Sequence, residues 1–328
     1  MESPWLCDMF VLVRNGPVRR CEIHRRCVVS RSAWDVRVLV VAMNLQTTAR
    51  LLITCPDRPG IVHAVSSFLY NHGANITALD QYATAAQGGT YFMRLEFQTP
   101  HLDLSQKMLA ETFREAVAQR YDMQWQISHA AYRKRVVIMV SRHDHAMLEL
   151  LWRWSRDALP CEIQAVISNH ADLAGDVQGF AVPFHHVPMS ADRRDQAEAE
   201  VEALWQGADL VVLARYMQIL GPELVARWPQ RIINIHHSFL PAFVGANPYQ
   251  QAYDKGVKLI GATAHYVTAE LDQGPIIEQG VARVSHRDDV DSLRHLGQDL
   301  ERQVLARAVR WHLEDRIIVH GNKTIVFD

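Results

Sequence analysis

The chain has 328 residues, 48% hydrophobic and 21% charged, with 34 Lys and Arg against 36 Asp and Glu for a formal net charge of -2. These proportions exclude disorder, collagen and coiled coil, and the length calls for two domains at one per ~100–200 residues. Near-balanced charge gives no global attraction to nucleic acid or an anionic membrane, and no apolar run nears the ~20 residues of a membrane-spanning helix.

Residues 1–42 stand apart, with seven Arg against Glu2, Asp8, Glu22 and Asp35, a net charge of +3. They lack the apolar core of a secretory signal. Cys21, His24 and Cys27 have no second pair at zinc-finger spacing, so no metal is expected. This segment is read as an upstream extension, disordered or untranslated, with Met43 as the start of the folded chain. Of the five cysteines only Cys55 and Cys161 lie beyond it, and a reducing cytoplasm is the expected compartment.

From Arg50 a regular pattern begins. Arg50–Thr54 predicts a strand, and Cys55-Pro56-Asp57-Arg58-Pro59-Gly60 a turn. Ile61, Val65, Phe68 and Leu69 recur at helical spacing up to Asn71-His72-Gly73. Ala74–Ala85 and Thr90–Gln98 predict two strands joined at Gln87-Gly88-Gly89. A helix over Leu104–Arg120 and a strand over Met123–Ser128 complete a ferredoxin-like βαββαβ unit.

After the basic linker Tyr132-Arg133-Lys134-Arg135 the pattern changes. Val136–Val140 and Asp209–Leu213 are continuous apolar runs, as in strands buried on both faces. They alternate with helices over Ala146–Asp157, Gln196–Gly207 and Pro222–Trp228 and with strands over Glu162–Ser168 and Ile232–Ile235. That order predicts a doubly wound, mostly parallel, Rossmann-like α/β sheet, whose ligands sit beyond the carboxyl ends of its strands. Asn234 and His236 alternate along one such strand end and face the same way. Together they can serve an oxyanion or simply brace the loop. Asp272, in the turn before Gly274-Pro275, is either a catalytic carboxylate or an acceptor for turn N–H groups.

Asp57-Arg58-Pro59-Gly60-Ile61-Val62 with Asn71-His72-Gly73-Ala74-Asn75-Ile76 resembles the ACT domain. That resemblance implies a turn that binds a small amino acid, glycine or methionine, or else a domain that only dimerises. It also makes a homo-oligomer the expected assembly. Leu213–Leu220 (LARYMQIL), Asn234–Pro241 (NIHHSFLP), Gly261–Val267 (GATAHYV) and Leu271–Ile277 (LDQGPII) together resemble the formyltransferase fold of folate-dependent enzymes. The loop Ser141-Arg142-His143-Asp144-His145 has no glycine where ribonucleotide formyltransferases have a Gly-rich phosphate loop, and His237 stands where they usually have Pro. With the ACT-like unit in front, the chain resembles the formyltetrahydrofolate deformylases from about Leu45 to Asp328. The implied layout is an ACT regulatory domain at 43–132 and a formyltransferase-like catalytic domain at 133–328.

What this resemblance implies is hydrolysis of 10-formyltetrahydrofolate to formate and tetrahydrofolate, balancing one-carbon pools and supplying formate for purine synthesis. The alternative is formyl transfer to an amine other than a ribonucleotide. Asp272, His236 and Asn234 are the implied catalytic set. Met217, Ile219 and Leu220 would flank the pterin. Arg215, taken as an exposed loop cation, would meet the folate glutamate or stay solvated, and His265 would orient Asp272 or be a satisfied core histidine. No tightly bound cofactor is expected. His143 and His145 stand where an acceptor phosphate would bind in the transferases.

Overall fold

Residues 47–85, 88–240 and 248–328 are described by the structure, a computed structural model. The expected extension at 1–42, Gln87 of the hairpin turn and Pro241 of the NIHHSFLP motif lie outside the described residues.

Strand β1 (Thr48–Pro56) buries Ala49, Leu51, Ile53 and Cys55, every second residue, the signature of a sheet with one face on a core. Helix α1 (Ile61–Asn71) lays Ile61, Val65, Phe68 and Leu69 on that face. Its N-cap is Gly60 at φ 94, with no side-chain cap, so Asp57 does not cap the helix. The Asp57 amide instead donates to the Gly89 carbonyl at 2.8 Å. Strands β2 (Asn75–Ala83) and β3 (Thr90–Gln98), helix α2 (Gln106–Phe113) and strand β4 (Gln124–His129) follow. The four strands pair antiparallel in the order β2-β3-β1-β4.

The second sheet begins with β5 (Lys134–Val140), α3 (His145–Ser155), β6 (Cys161–Ser168), α4 (Ala174–Gln178) and β7 (Phe184–His186). It continues with α5 (Arg194–Leu204), β8 (Leu210–Leu213), α6 (Pro222–Arg227) and β9 (Ile232–His236), then α7 (Pro248–Asp254), β10 (Leu259–Tyr266) and β11 (Ile276–Arg283). Strand order is β11-β10-β9-β8-β5-β6-β7. Strands β9 to β7 run parallel, and β10 and β11 are antiparallel additions at one edge. β5 shows why its sequence is apolar throughout. Val136, Ile138 and Val140 pack toward α3 and the long helix α8 (Val290–Leu313), while Val137 and Met139 pack toward α5 and α6. Helices therefore cover both faces, as the alternation of elements requires. A hairpin of β12 (Ile317–His320) and β13 (Lys323–Val326) closes the chain. Among the described residues no helix is long and apolar enough to cross a membrane.

Both sheets belong to one compact unit, Met43–Asp328, and Asp315 joins them. It follows the C-terminus of α8 at φ 51, where the helix dipole disfavours a carboxylate. Four groups offset that cost. Lys134 ion-pairs with it, Arg50 of β1 lies 3.5 Å away, Ser128 of β4 donates at 2.7 Å, and Arg94 of β3 donates to its carbonyl at 2.8 Å. Burial alone would raise the Asp315 carboxyl, but Lys134, Ser128 and Arg50 bring it below the ordinary range. Arg50 is itself buried and Lys134 is mostly so, so removing the carboxylate takes an acceptor from two cations in a low-dielectric junction. Asp315→Ala is expected to cost roughly 3–5 kcal/mol of unfolding free energy. A denaturant titration measures it, and a loss under about 1 kcal/mol, the range of exposed pairs, would contradict the assignment.

Candidate active site

The site forms where β9, β10 and the turn leading into β11 meet. Asn234 and His236 project from the end of β9, and the antiparallel register places His265 of β10 opposite Asn234. An irregularity at Ala264/His265 shifts the pairing of β10 with β11, the kind of bulge that re-aims a side chain.

Asp272 comes from the connecting turn and takes φ 55, a left-handed conformation uncommon for a residue with a Cβ. The turn is clamped from behind. Tyr266 N donates to Pro275 O at 3.0 Å, and a Cβ on Gly274 would collide with the Tyr266 carbonyl. Only glycine lets the two backbones approach so closely, which explains the Gly-Pro that follows Asp272.

In this position the carboxylate faces two imidazoles. Oδ2 lies 3.2 Å from His236 Nδ1, and Oδ1 lies 3.6 Å from His265 Nε2. Hydrogen bonding to His236, then to His265, outweighs burial and holds Asp272 far below the usual carboxylate range. His265 Nδ1 lies 3.0 Å from the Tyr266 carbonyl and must donate to it. In neutral His265 that leaves Nε2 as the acceptor for the Asn234 amide at 3.2 Å. His265 therefore orients Asn234 by a hydrogen bond, with Asp272 beside it at 3.6 Å.

All eight residues singled out from the sequence line one cavity of about 240 Å³. Met217, Ile219 and Leu271 form an exposed apolar rim, 54%, 61% and 62% accessible, whereas Leu220 is buried. Such exposure of large apolar side chains beside convergent polar groups marks a ligand cleft. Ser141 secures this loop, accepting from Met217 N at 3.0 Å while donating to Asn169 at 2.7 Å.

Arg215 departs from expectation. It is not an exposed loop cation: its side chain is 10% accessible and turns inward, 3.4 Å from Glu301 of α8. Paired there, the guanidinium is not free in solvent to meet a folate glutamate. His145 also meets Glu301, at 2.8 Å, rather than standing open. Sequence reasoning missed Glu301 altogether. Its only signal was a charge within the buried stripe of Leu293, Gly297, Val304 and Leu305. Among the described residues no three His, Cys, Asp or Glu side chains are grouped to hold a metal ion.

Residues 134–309 match the formyl transferase family and residues 49–104 the ACT domain. The chain is 53% identical over 281 residues to a formyltetrahydrofolate deformylase of Bacillus subtilis, across 85% of this chain and 93% of that one. It belongs to the formyltetrahydrofolate deformylase family. A solved member from Pseudomonas syringae pv. tomato is 49% identical, with a TM-score of 0.83 over 89% of this chain and all 100% of its own. A glycinamide ribonucleotide transformylase from Symbiobacterium toebii is 32% identical, with a TM-score of 0.56 over 60% of this chain and 95% of its own.

This family member carries a second histidine beside His236. His237 stacks on it at 5.1 Å between ring centroids, and burial, then the Arg215 charge, lowers its pKa from 6.5 to about 4. The unfolded chain therefore binds more protons than the folded one between those values. The stability tied to neutral His237 is complete above the unfolded pKa and is lost as pH falls toward the folded one. Asp272 adds an acid-side loss only below its ordinary range, near pH ~4. His237→Asn should lose less stability than wild type between about pH 7 and about pH 5, by on the order of 1 kcal/mol. Thermal unfolding across that range measures it, and parallel curves would contradict the assignment.

Proposed function

We propose that the chain hydrolyses 10-formyltetrahydrofolate to formate and tetrahydrofolate through Asn234, His236 and Asp272. The observation that carries this reading is that the three side chains converge on one cavity with an apolar rim. Met217, Ile219 and Leu220 would flank the flat pterin, placing the formyl carbon beside the polar set.

In its imidazolium form, His236 donates Nδ1–H to Asp272 and Nε2–H to the formyl oxygen. Asn234 gives one amide N–H to His265 and keeps the other for the same oxygen. These donors stabilise the oxyanion that develops when water attacks. Asp272, an anion at any working pH, orients the water and relays its proton. The water oxygen bonds to the formyl carbon, the bond from that carbon to N10 breaks, and the relayed proton ends on N10. Formate leaves, and tetrahydrofolate remains.

In this reading residues 133–328 form the catalytic domain and residues 43–132 an ACT regulatory domain in a cytoplasmic homo-oligomer. The reaction would balance one-carbon pools and release formate for purine synthesis, with no tightly bound cofactor, metal, nucleic acid or membrane involved. Glycine or methionine would bind at the Asp57–Ile61 turn. In support, α1 starts there without a side-chain cap, leaving first-turn N–H groups that suit a carboxylate.

The full chain, given 10-formyltetrahydrofolate and no acceptor amine, is expected to release formate and tetrahydrofolate in equal amounts. Asn234→Ala should lower turnover by ~10²–10³. Asp272→Asn should abolish hydrolysis while folate binding persists. Wild-type turnover in Asp272→Asn would remove that residue from the mechanism. For regulation, glycine or methionine should give a calorimetric binding signal with the full chain and a change in rate. No heat with either would leave dimerisation as the role of the first domain.

A further inference from the structure

We propose that Arg215, Glu301, His145 and Tyr249 form a plug on the nucleophile side of the formyl site, so that water enters and an amine acceptor does not. This inference rests on the formyl-folate reading above and adds to it what selects the nucleophile. The question arises because a related fold occurs in a glycinamide ribonucleotide transformylase.

The plug is built at a cost. Arg215 takes φ 64, and a left-handed conformation costs a residue with a Cβ roughly 1–2 kcal/mol. Its Nε lies 3.4 Å from Glu301 Oε2. Among the described residues neither Nε nor Nη1 finds a hydrogen-bond acceptor, and neither does His145 Nδ1 find a partner. A buried ion pair with such incomplete bonding does not repay its desolvation. Stability alone therefore does not account for these residues.

Glu301 is only 1% exposed, although it sits within an apolar stripe of α8. It is paired on two sides, by His145 Nε2 at 2.8 Å and by the Tyr249 hydroxyl, which donates at 3.0 Å. Gly297, one turn earlier on α8, makes the space for Tyr249, since a Cβ there would strike the phenol. The cluster thus draws on α3, α7, α8 and the loop after β8.

Its position gives it a function. His237 lines the formyl-site cavity and, with Tyr249, a second pocket of only about 40 Å³. Its ring stacks on His236 and lies 6.4 Å from that of Tyr249. Arg215 and His237 both line the formyl-site cavity itself, so the buried Arg215–Glu301 pair takes up volume directly beside it. In the transfer reaction the amine nitrogen would bond to the formyl carbon, the bond from that carbon to N10 would break, and an amine proton would pass to N10. The plug withholds the space for that nitrogen's substituent and leaves water to make the equivalent attack.

The test uses the full chain, 10-formyltetrahydrofolate and glycinamide as the probe amine, and measures N-formylglycinamide formed per formate released. Wild type is expected to give formate alone. Arg215→Gly with Glu301→Gln empties the plug, because glycine suits φ 64 and glutamine leaves no orphaned charge. Its transfer-to-hydrolysis ratio should rise at least about tenfold, within the range that pocket contacts supply. The ratio is insensitive to a general loss of activity or stability. Tyr249→Ala opens the plug from α7 and decides the matter if the double variant does not fold. A variant that still hydrolyses with the wild-type ratio overturns the proposal. Wild type that releases no formate would instead refute the hydrolytic reading, so the two failures are distinguishable.

Discussion

The site depends on a carboxylate held at φ 55 between two imidazoles. Asp272 keeps this conformation because Gly274 and Pro275 are locked against Tyr266. If that turn relaxed, His236 would lose the partner that fixes which ring nitrogen faces the substrate. The clamp extends further. The Tyr266 hydroxyl donates to His312 Nδ1 at 2.7 Å. Burial, then nearby Lys134, pushes that imidazole down to about 3, so it stays neutral and can accept. The His312 carbonyl in turn takes a bond from Lys134, the cation that pairs with Asp315. Hydrogen bonds therefore lead from the formyl site to the junction with the four-stranded sheet, and a change in that sheet has a physical path to Tyr266.

In the proposed reading, affinity and chemistry are separated along the cavity. The apolar rim can accept a flat ring by excluding water from Met217, Ile219 and Leu271, while the polar residues act at the other end. The ionised Asp272 is a weak base and a strong orienting group. It suits a mechanism in which the proton passes promptly to the leaving nitrogen. Arg215 and Glu301 add selectivity over the nucleophile, at the cost of backbone strain and a buried ion pair. Arg215 and Asp272, two of the seven described non-glycine residues with positive φ, line this cavity, where function can set the sequence against local preference.

Much of this arrangement is legible in the sequence because local rules govern it. Val136–Val140 alternates between two cores and must be apolar throughout. Asn234 and His236 share a direction because a strand has a period of two. Leu271-Asp272-Gln273-Gly274-Pro275 announces a tight turn with a carboxylate at its tip. What escapes such reading depends on distant pairing. Arg215 follows a strand in a loop, where solvent is the ordinary environment, and only the fold of α8 supplies Glu301. The Asp315 junction is hidden for the same reason, since its partners come from β1, β3, β4 and β5. The terminal hairpin β12-β13 has strands of only four residues each, too short for a period of two to stand out.

The central claim is that water, positioned by Asp272, is the nucleophile at a formyl group held by Asn234 and His236. Acceptor-free turnover of 10-formyltetrahydrofolate in oxygen-18 water, followed by mass analysis of the formate, tests it directly. The account predicts formate equal to tetrahydrofolate, with one solvent oxygen in each molecule, and loss of both products in Asp272→Asn. Formate carrying no solvent oxygen, or no formate until an amine is supplied, would contradict it.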